Sequence, residues 1–122
     1  MIVGLGLDVV AVERVRALHA RHRDRLLARC FAPGEVARPD DPQHLAGLLA
    51  AKEAAFKALG TGWSEGVGWR DARVARGRAG EPSLELAGRA AERASSLGVE
   101  RCHLSITHAG GVAVAVVVLE RA

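Results

Sequence analysis

Hydrophobic positions along this chain change period several times, and each change marks an element. Residues 2–10 alternate: Val3, Leu5, Leu7 and Val9 are bulky, and between them stand Gly4, Gly6 and Asp8. A period of two predicts a strand with one bulky face and one nearly bare of side chains, where another backbone can approach closely and from which Asp8 projects. Asp8 has a second reading, as a cap for the helix that follows. From Val12 the spacing lengthens through Val15 and Leu18 and predicts an amphipathic helix to about Arg29. Residues 31–43, FAPGEVARPDDPQ, hold three prolines in thirteen positions and predict loops around a short helical turn from Pro33 to Ala37.

Asp40 and Asp41 are candidate caps, Pro42 suits a first helical turn and Gly60 is a stop signal, so a helix of about eighteen residues, roughly 27 Å, is predicted between them. Leu45, Leu49, Lys52, Phe56 and Leu59 fall on one stripe of it; Glu53 and Lys57 share the neighbouring one. Ala46, Gly47, Ala50, Ala51, Ala54, Ala55 and Ala58 are small and let a backbone or a ligand come near. An Ala-rich core helix with one ordinary Glu53–Lys57 pair is the plain alternative. The glycine-rich stretch GTGWSEGVGW follows, and the backbone N–H groups of Gly60 and Gly62 are candidates to face a phosphate, although the stretch is not a Walker motif.

Residues 69–76 are predicted to pair with 82–86 across a turn at Gly77 to Gly80, and Gly88 to Leu97 to form a helix ended by Gly98. Residues 101–107 and 112–119 predict a hairpin around Ala109-Gly110-Gly111. The second of these strands, VAVAVVVL, is apolar on both faces, so a helix is expected to cover one side and another subunit the other. Cys102, Leu104 and Ile106 alternate inward, with His108 in phase at the strand end, where it is either a hydrogen-bonded structural residue or a ligand contact.

A length of 122 residues predicts one domain over 1–122 with room for a real core. Composition, at 49% hydrophobic and 25% charged, is that of an average soluble protein, and no apolar run approaches a membrane span. The opening residues read as a strand and not as a signal peptide, so a cytoplasmic protein is expected. Cys30 and Cys102 show no metal-binding spacing and are expected as buried reduced thiols; a zinc site is not expected. The other histidines show no metal-ligand spacing either.

Charge changes the picture more. The formal net charge is +3, which favours an anionic partner. Four aromatic residues, Phe31, Phe56, Trp63 and Trp69, give little material for stacking bases, which weakens a nucleic-acid reading. The first helix carries Arg14, Arg16, Arg21, Arg23, Arg25 and Arg29 against Glu13 and Asp24, a surface that suits an acidic protein helix as well as a phosphate backbone. Both lysines of the chain, Lys52 and Lys57, lie in the predicted central helix, whereas the other fifteen basic residues are arginine. That choice points to a need for a compact ammonium on a flexible stem.

Asp8 and Glu53 are the oxygen ligands offered by the sterically open sites. Two carboxylates suit magnesium, which keeps waters and takes phosphate oxygens from a substrate. Lys57 would neutralise further phosphate charge, a set suited to phosphoryl transfer. A hydroxyl nucleophile would lose its proton to Glu53 or to a water on the metal.

The segments GLGLDVVAVERV, LAGLLAAKEAAFKALGTG and HLSITHAGGVAVAVVVLE resemble, in order and spacing, the three motifs of bacterial holo-acyl-carrier-protein synthases, a 4′-phosphopantetheinyl transferase family. The resemblance implies an α+β fold with an antiparallel sheet and a long central helix, assembled as a homotrimer with active sites between subunits. It implies transfer of phosphopantetheine from coenzyme A to a serine of apo acyl carrier protein, releasing adenosine 3′,5′-bisphosphate. Asp8 and Glu53 would hold magnesium, Lys57 and His108 would line the coenzyme A phosphates, and Arg14, with Arg21 on the same arginine-rich helix, would meet the acidic carrier protein. The chain departs from the family at Leu48, where arginine is usual, and at Glu81, where lysine or arginine is usual; each departure predicts weaker coenzyme A binding. A non-catalytic subunit that docks a carrier protein is the alternative from another class, and a basic nucleic-acid module is a third.

Overall fold

A computed structural model describes residues 1–61 and 66–122. Among them β1 (Ile2–Ala11) runs into α1 (Val12–Cys30), a proline-rich loop leads to α2 (Pro42–Leu59), and β2 (Ala72–Arg76), β3 (Pro82–Leu86), α3 (Gly88–Ser96), β4 (Arg101–Ala109) and β5 (Val112–Glu120) follow. The fold is α+β with antiparallel sheets, one of three strands in the order β1-β5-β4 and one of two, β2-β3. β4 and β5 join through Gly110 and Gly111, whose φ values of 57° and 79° give the doubly left-handed tight turn that glycine allows.

α2 lies across one face of the larger sheet, and the glycines of β1 explain how it gets there. A Cβ at Gly4 would overlap the Ala58 carbonyl oxygen, and one at Gly6 the Ala54 carbonyl oxygen. The bare strand face and the alanines of α2 therefore let two backbones meet, and Asp8 is carried against the helix with 7% of its surface left exposed. Asp8 is not a cap: α1 begins after Ala11 and has no side-chain cap. From β5, Ala113, Ala115, Val117 and Leu119 complete the contact surface and are buried. The other sheet face is uncovered: Leu5, Leu7 and Val9 are 66%, 56% and 58% exposed, and Val112, Val114, Val116 and Val118 are half-buried.

Asp41 caps α2 by accepting from the N–H groups of Gln43 and His44, and Gly60 ends it at φ 74°. Asp40 is engaged elsewhere. It accepts from Arg23 Nε at 2.6 Å and lies 3.1 Å from His19 Nε2, tying α1 to the loop before α2. α1 leaves helical geometry at His22 (φ −138°, ψ 35°).

Two expectations need correction. Pro33 to Ala37 is not helical: Gly34 takes φ 78°, and Glu35 N–H donates to the Ala32 carbonyl, a reverse turn with proline and glycine at its corners. The strand expected from residue 69 begins at Ala72, because the Asp71 carboxylate accepts from Gly68 N–H and curls Trp69–Asp71 into a single 3-10 turn. In VAVAVVVL the outcome matches the pattern as far as one chain can show it: α2 packs on one side, and the other side stays half-buried.

Candidate active site

Where β1 meets α2, three of the residues singled out from sequence come together. Lys57 Nζ donates to Asp8 Oδ1 at 2.9 Å and to the Leu7 carbonyl at 3.0 Å. Lys57 thus turns to the strand and not to Glu53 in the helical pair that its spacing suggested. Asp8 Oδ2 is buried and, among the described residues, has no fixed hydrogen-bond donor on it. Glu53 bears on the same aspartate: burial, and after it the neighbouring Asp8 carboxylate, together push the Glu53 carboxyl up to about 7 against the opposing charges of Lys57 and Arg14. A carboxyl that keeps its proton can donate to Asp8, whereas a carboxylate would repel it. Asp8 in turn raises the affinity of Lys57 for its proton.

The donor set fits a divalent cation. A buried carboxylate oxygen without a fixed donor and a second acid whose ionisation is disfavoured by burial and by its neighbour are both relieved when one cation is shared between them. Among the described residues no cluster of three or more histidine, cysteine or acidic side chains offers an all-protein cage. Two carboxylates open to further oxygens match magnesium better than zinc.

A cleft of about 370 Å³ opens beside Glu53, walled by Val10, Val15, Leu18, Leu49 and Trp69, with Arg14 at its edge. Arg14 and Arg21 are both exposed on α1.

Other predicted residues do not join this cluster. His108 Nε2 lies 2.9 Å from the Gln43 carbonyl, and the ring packs on Gly47. Asp8 pairs with Ala115 and His108 with Ala113, two strands apart, which places His108 on the order of 10 Å across the sheet. Gly60 N–H donates to the Lys57 carbonyl in the helix cap, so it is not a free donor for a phosphate, and Gly62 lies outside the described residues. Leu48 is 1% exposed and belongs to the core, so leucine there is a packing choice and opens no gap in a charged surface. Glu81 accepts from Ala79 N–H at 3.0 Å and closes the β2–β3 turn.

Sequence reasoning missed Glu35. It forms a fully buried ion pair with Lys52 at 2.9 Å, and Lys52 also donates to the Trp69 carbonyl at 3.1 Å and the Ala72 carbonyl at 2.6 Å. Glu35 accepts in addition from Ala32 N–H and Val74 N–H. Burial lowers the Lys52 affinity for its proton and Glu35 opposes that. Three donors on one nitrogen fit three acceptors, which is why lysine and not arginine serves here. The lone lysine on an apolar stripe was the signal that a buried acid had to exist.

The model of the 4′-phosphopantetheinyl transferase superfamily matches residues 4–117. A holo-[acyl-carrier-protein] synthase of Anaeromyxobacter dehalogenans is 54% identical over 127 residues, covering 98% of this chain and 97% of that protein. Among solved structures, the holo-[acyl-carrier-protein] synthase of Helicobacter pylori in complex with coenzyme A is 29% identical with a TM-score of 0.85, covering 95% of this chain and 99% of that one. The enzyme of Bacillus anthracis, in complex with coenzyme A (3′,5′-ADP), is 31% identical with a TM-score of 0.79, covering 100% and 99%.

Proposed function

The chain belongs to the 4′-phosphopantetheinyl transferase superfamily and is a phosphopantetheinyl transferase, and from that premise we propose that it transfers the 4′-phosphopantetheine group of coenzyme A to a serine of apo acyl carrier protein with magnesium, leaving adenosine 3′,5′-bisphosphate. The convergence of Asp8, Glu53 and Lys57, with Asp8 Oδ2 left without a fixed donor among the described residues, carries this reading. Asp8 and Glu53 would hold the metal ion. When bound, magnesium offsets charge on the diphosphate and orients it for displacement.

The chain's own groups supply the rest. Lys57 is the cation placed to offset a further phosphate charge, and at 57% side-chain exposure it is free to reach one. Glu53, or a water beside it, would take the proton of the serine hydroxyl. Coenzyme A is long enough to extend from this cluster toward His108. Arg14, beside the cleft, and Arg21 on the same helix suit the acidic carrier protein. Arg23, already held by Asp40 and Asp24, is less available.

The reading extends to assembly and setting. One domain spans residues 1–122, and the uncovered sheet face, with Leu5, Leu7 and Val9 more than half exposed, suits contact with further copies in a homotrimer. Among the described residues no helix is long and apolar enough to cross a membrane, in keeping with a cytoplasmic enzyme. Intact-mass spectrometry of apo acyl carrier protein incubated with the chain, coenzyme A and magnesium tests the reaction. A gain of one phosphopantetheine, lost on chelation, is expected; a carrier protein that binds but gains no mass would favour a docking subunit instead.

A further inference from the structure

Asp8 already has a cation on it. Lys57 Nζ lies 2.9 Å from Oδ1, on one of the two carboxylates of the proposed metal site, and its second anchor is the Leu7 carbonyl. Two properties make this contact exchangeable. The Lys57 side chain is 57% exposed on a flexible stem, whereas Lys52, five residues earlier, is fully enclosed by Glu35 and two carbonyls and has nowhere to go. A second cation on Asp8 would meet the ammonium at contact range, and like charges that close repel even near a surface.

We infer that Lys57 is an exchangeable counter-ion: it neutralises Asp8 while the metal is absent, leaves when a divalent cation binds, and is then passed to a phosphate of coenzyme A. The inference rests on the magnesium reading above and goes beyond it, because it makes metal and coenzyme A binding help each other through one side chain. A cation that takes Asp8 from Lys57 leaves the ammonium without a counter-ion, with the Leu7 carbonyl as its remaining anchor. With a phosphate present, the ammonium has a new one. Each ligand therefore raises the affinity for the other, and by linkage the two factors are equal.

The test is calorimetric titration of magnesium into the full chain, with and without coenzyme A, for the parent, Lys57→Met and Lys57→Arg. Lys57→Met is expected to bind magnesium alone roughly fivefold more tightly than the parent, the size of one partly exposed ion pair. Coenzyme A is expected to raise the parent's magnesium affinity by a larger factor than that of Lys57→Met, while Lys57→Arg stays as weak as the parent for magnesium alone. Equal or weaker magnesium binding by Lys57→Met, or the same coupling factor in parent and Lys57→Met, would overturn the counter-ion role and leave the metal site standing. No magnesium binding by any of the three, with or without coenzyme A, would remove the metal reading as well.

Discussion

Lys52 and Lys57 sit on the same helix, five residues apart, and live in opposite surroundings. Lys52 has no exposed surface, and its ammonium meets Glu35, the Trp69 carbonyl and the Ala72 carbonyl. Lys57 is more than half exposed and holds one oxygen of Asp8, whose other oxygen has no fixed donor among the described residues. The first pair is closed: every strong partner it needs is inside the chain, and it ties the proline-rich loop, α2 and β2 together. The second is open, with an acid too close to another acid and a cation that can move. Closed ion pairs hold a fold in one arrangement, and open ones are where ligands bring the missing charge.

The comparison can be broken most decisively at Asp8. Asp8→Ala is expected to lower the transfer rate by about a thousandfold, about 4 kcal/mol of barrier, while the protein remains folded; the rate is read by mass spectrometry and the fold by circular dichroism. A similar energy lies in the closed pair but should appear in a different measurement. Lys52→Met strands a buried carboxylate and is expected to cost about 3–5 kcal/mol of stability, seen in denaturant unfolding, and the double replacement Glu35→Leu with Lys52→Met should recover much of it. Were Lys52→Met as stable as the parent, the closed pair would not be holding the fold.

A smaller effect probes how the open cluster is assembled. In Gly6→Ala the new methyl would overlap the Ala54 carbonyl, so β1 must retreat from α2 and take Asp8 with it. A loss of about 1–3 kcal/mol in stability is expected, with transfer reduced beyond what the lost folded fraction explains. The smallest effect is a dependence on pH. Glu53 ionises near 4.5 when unfolded and near 7 in the folded, metal-free chain, so the folded state binds more protons between those values. Stability of the chelator-treated protein should therefore fall as pH rises through that window, and Glu53→Gln should flatten the slope in a series of thermal melts.

Much of this was legible in the sequence. Asp41 and Gly60 bracket α2 as the capping chemistry requires, and Gly4 and Gly6 announced the close approach that brings Asp8 to Glu53 and Lys57. What stayed hidden depends on contacts between segments that no period connects. Glu35 lies 17 residues from Lys52 in a loop, and nothing in FAPGE reveals that its carboxylate turns inward. Arg23 looked like part of a free cationic face until Asp40 folded onto it. Gly60 looked like a phosphate donor, but its N–H was needed to close the helix. Leu48 looked like a lost charge because spacing alone does not say how deeply a helix face is buried.

The most direct test of the division between the two lysines is the transfer rate per folded molecule of Lys57→Met, with its melting temperature measured on the same sample. The expected result is a rate lower by roughly a hundredfold, of the order seen when a preorganised charge is removed from a transferring group, with the melt close to that of the parent. A parental rate per folded molecule would contradict it, because Lys57 would then be a surface lysine that happens to rest on Asp8.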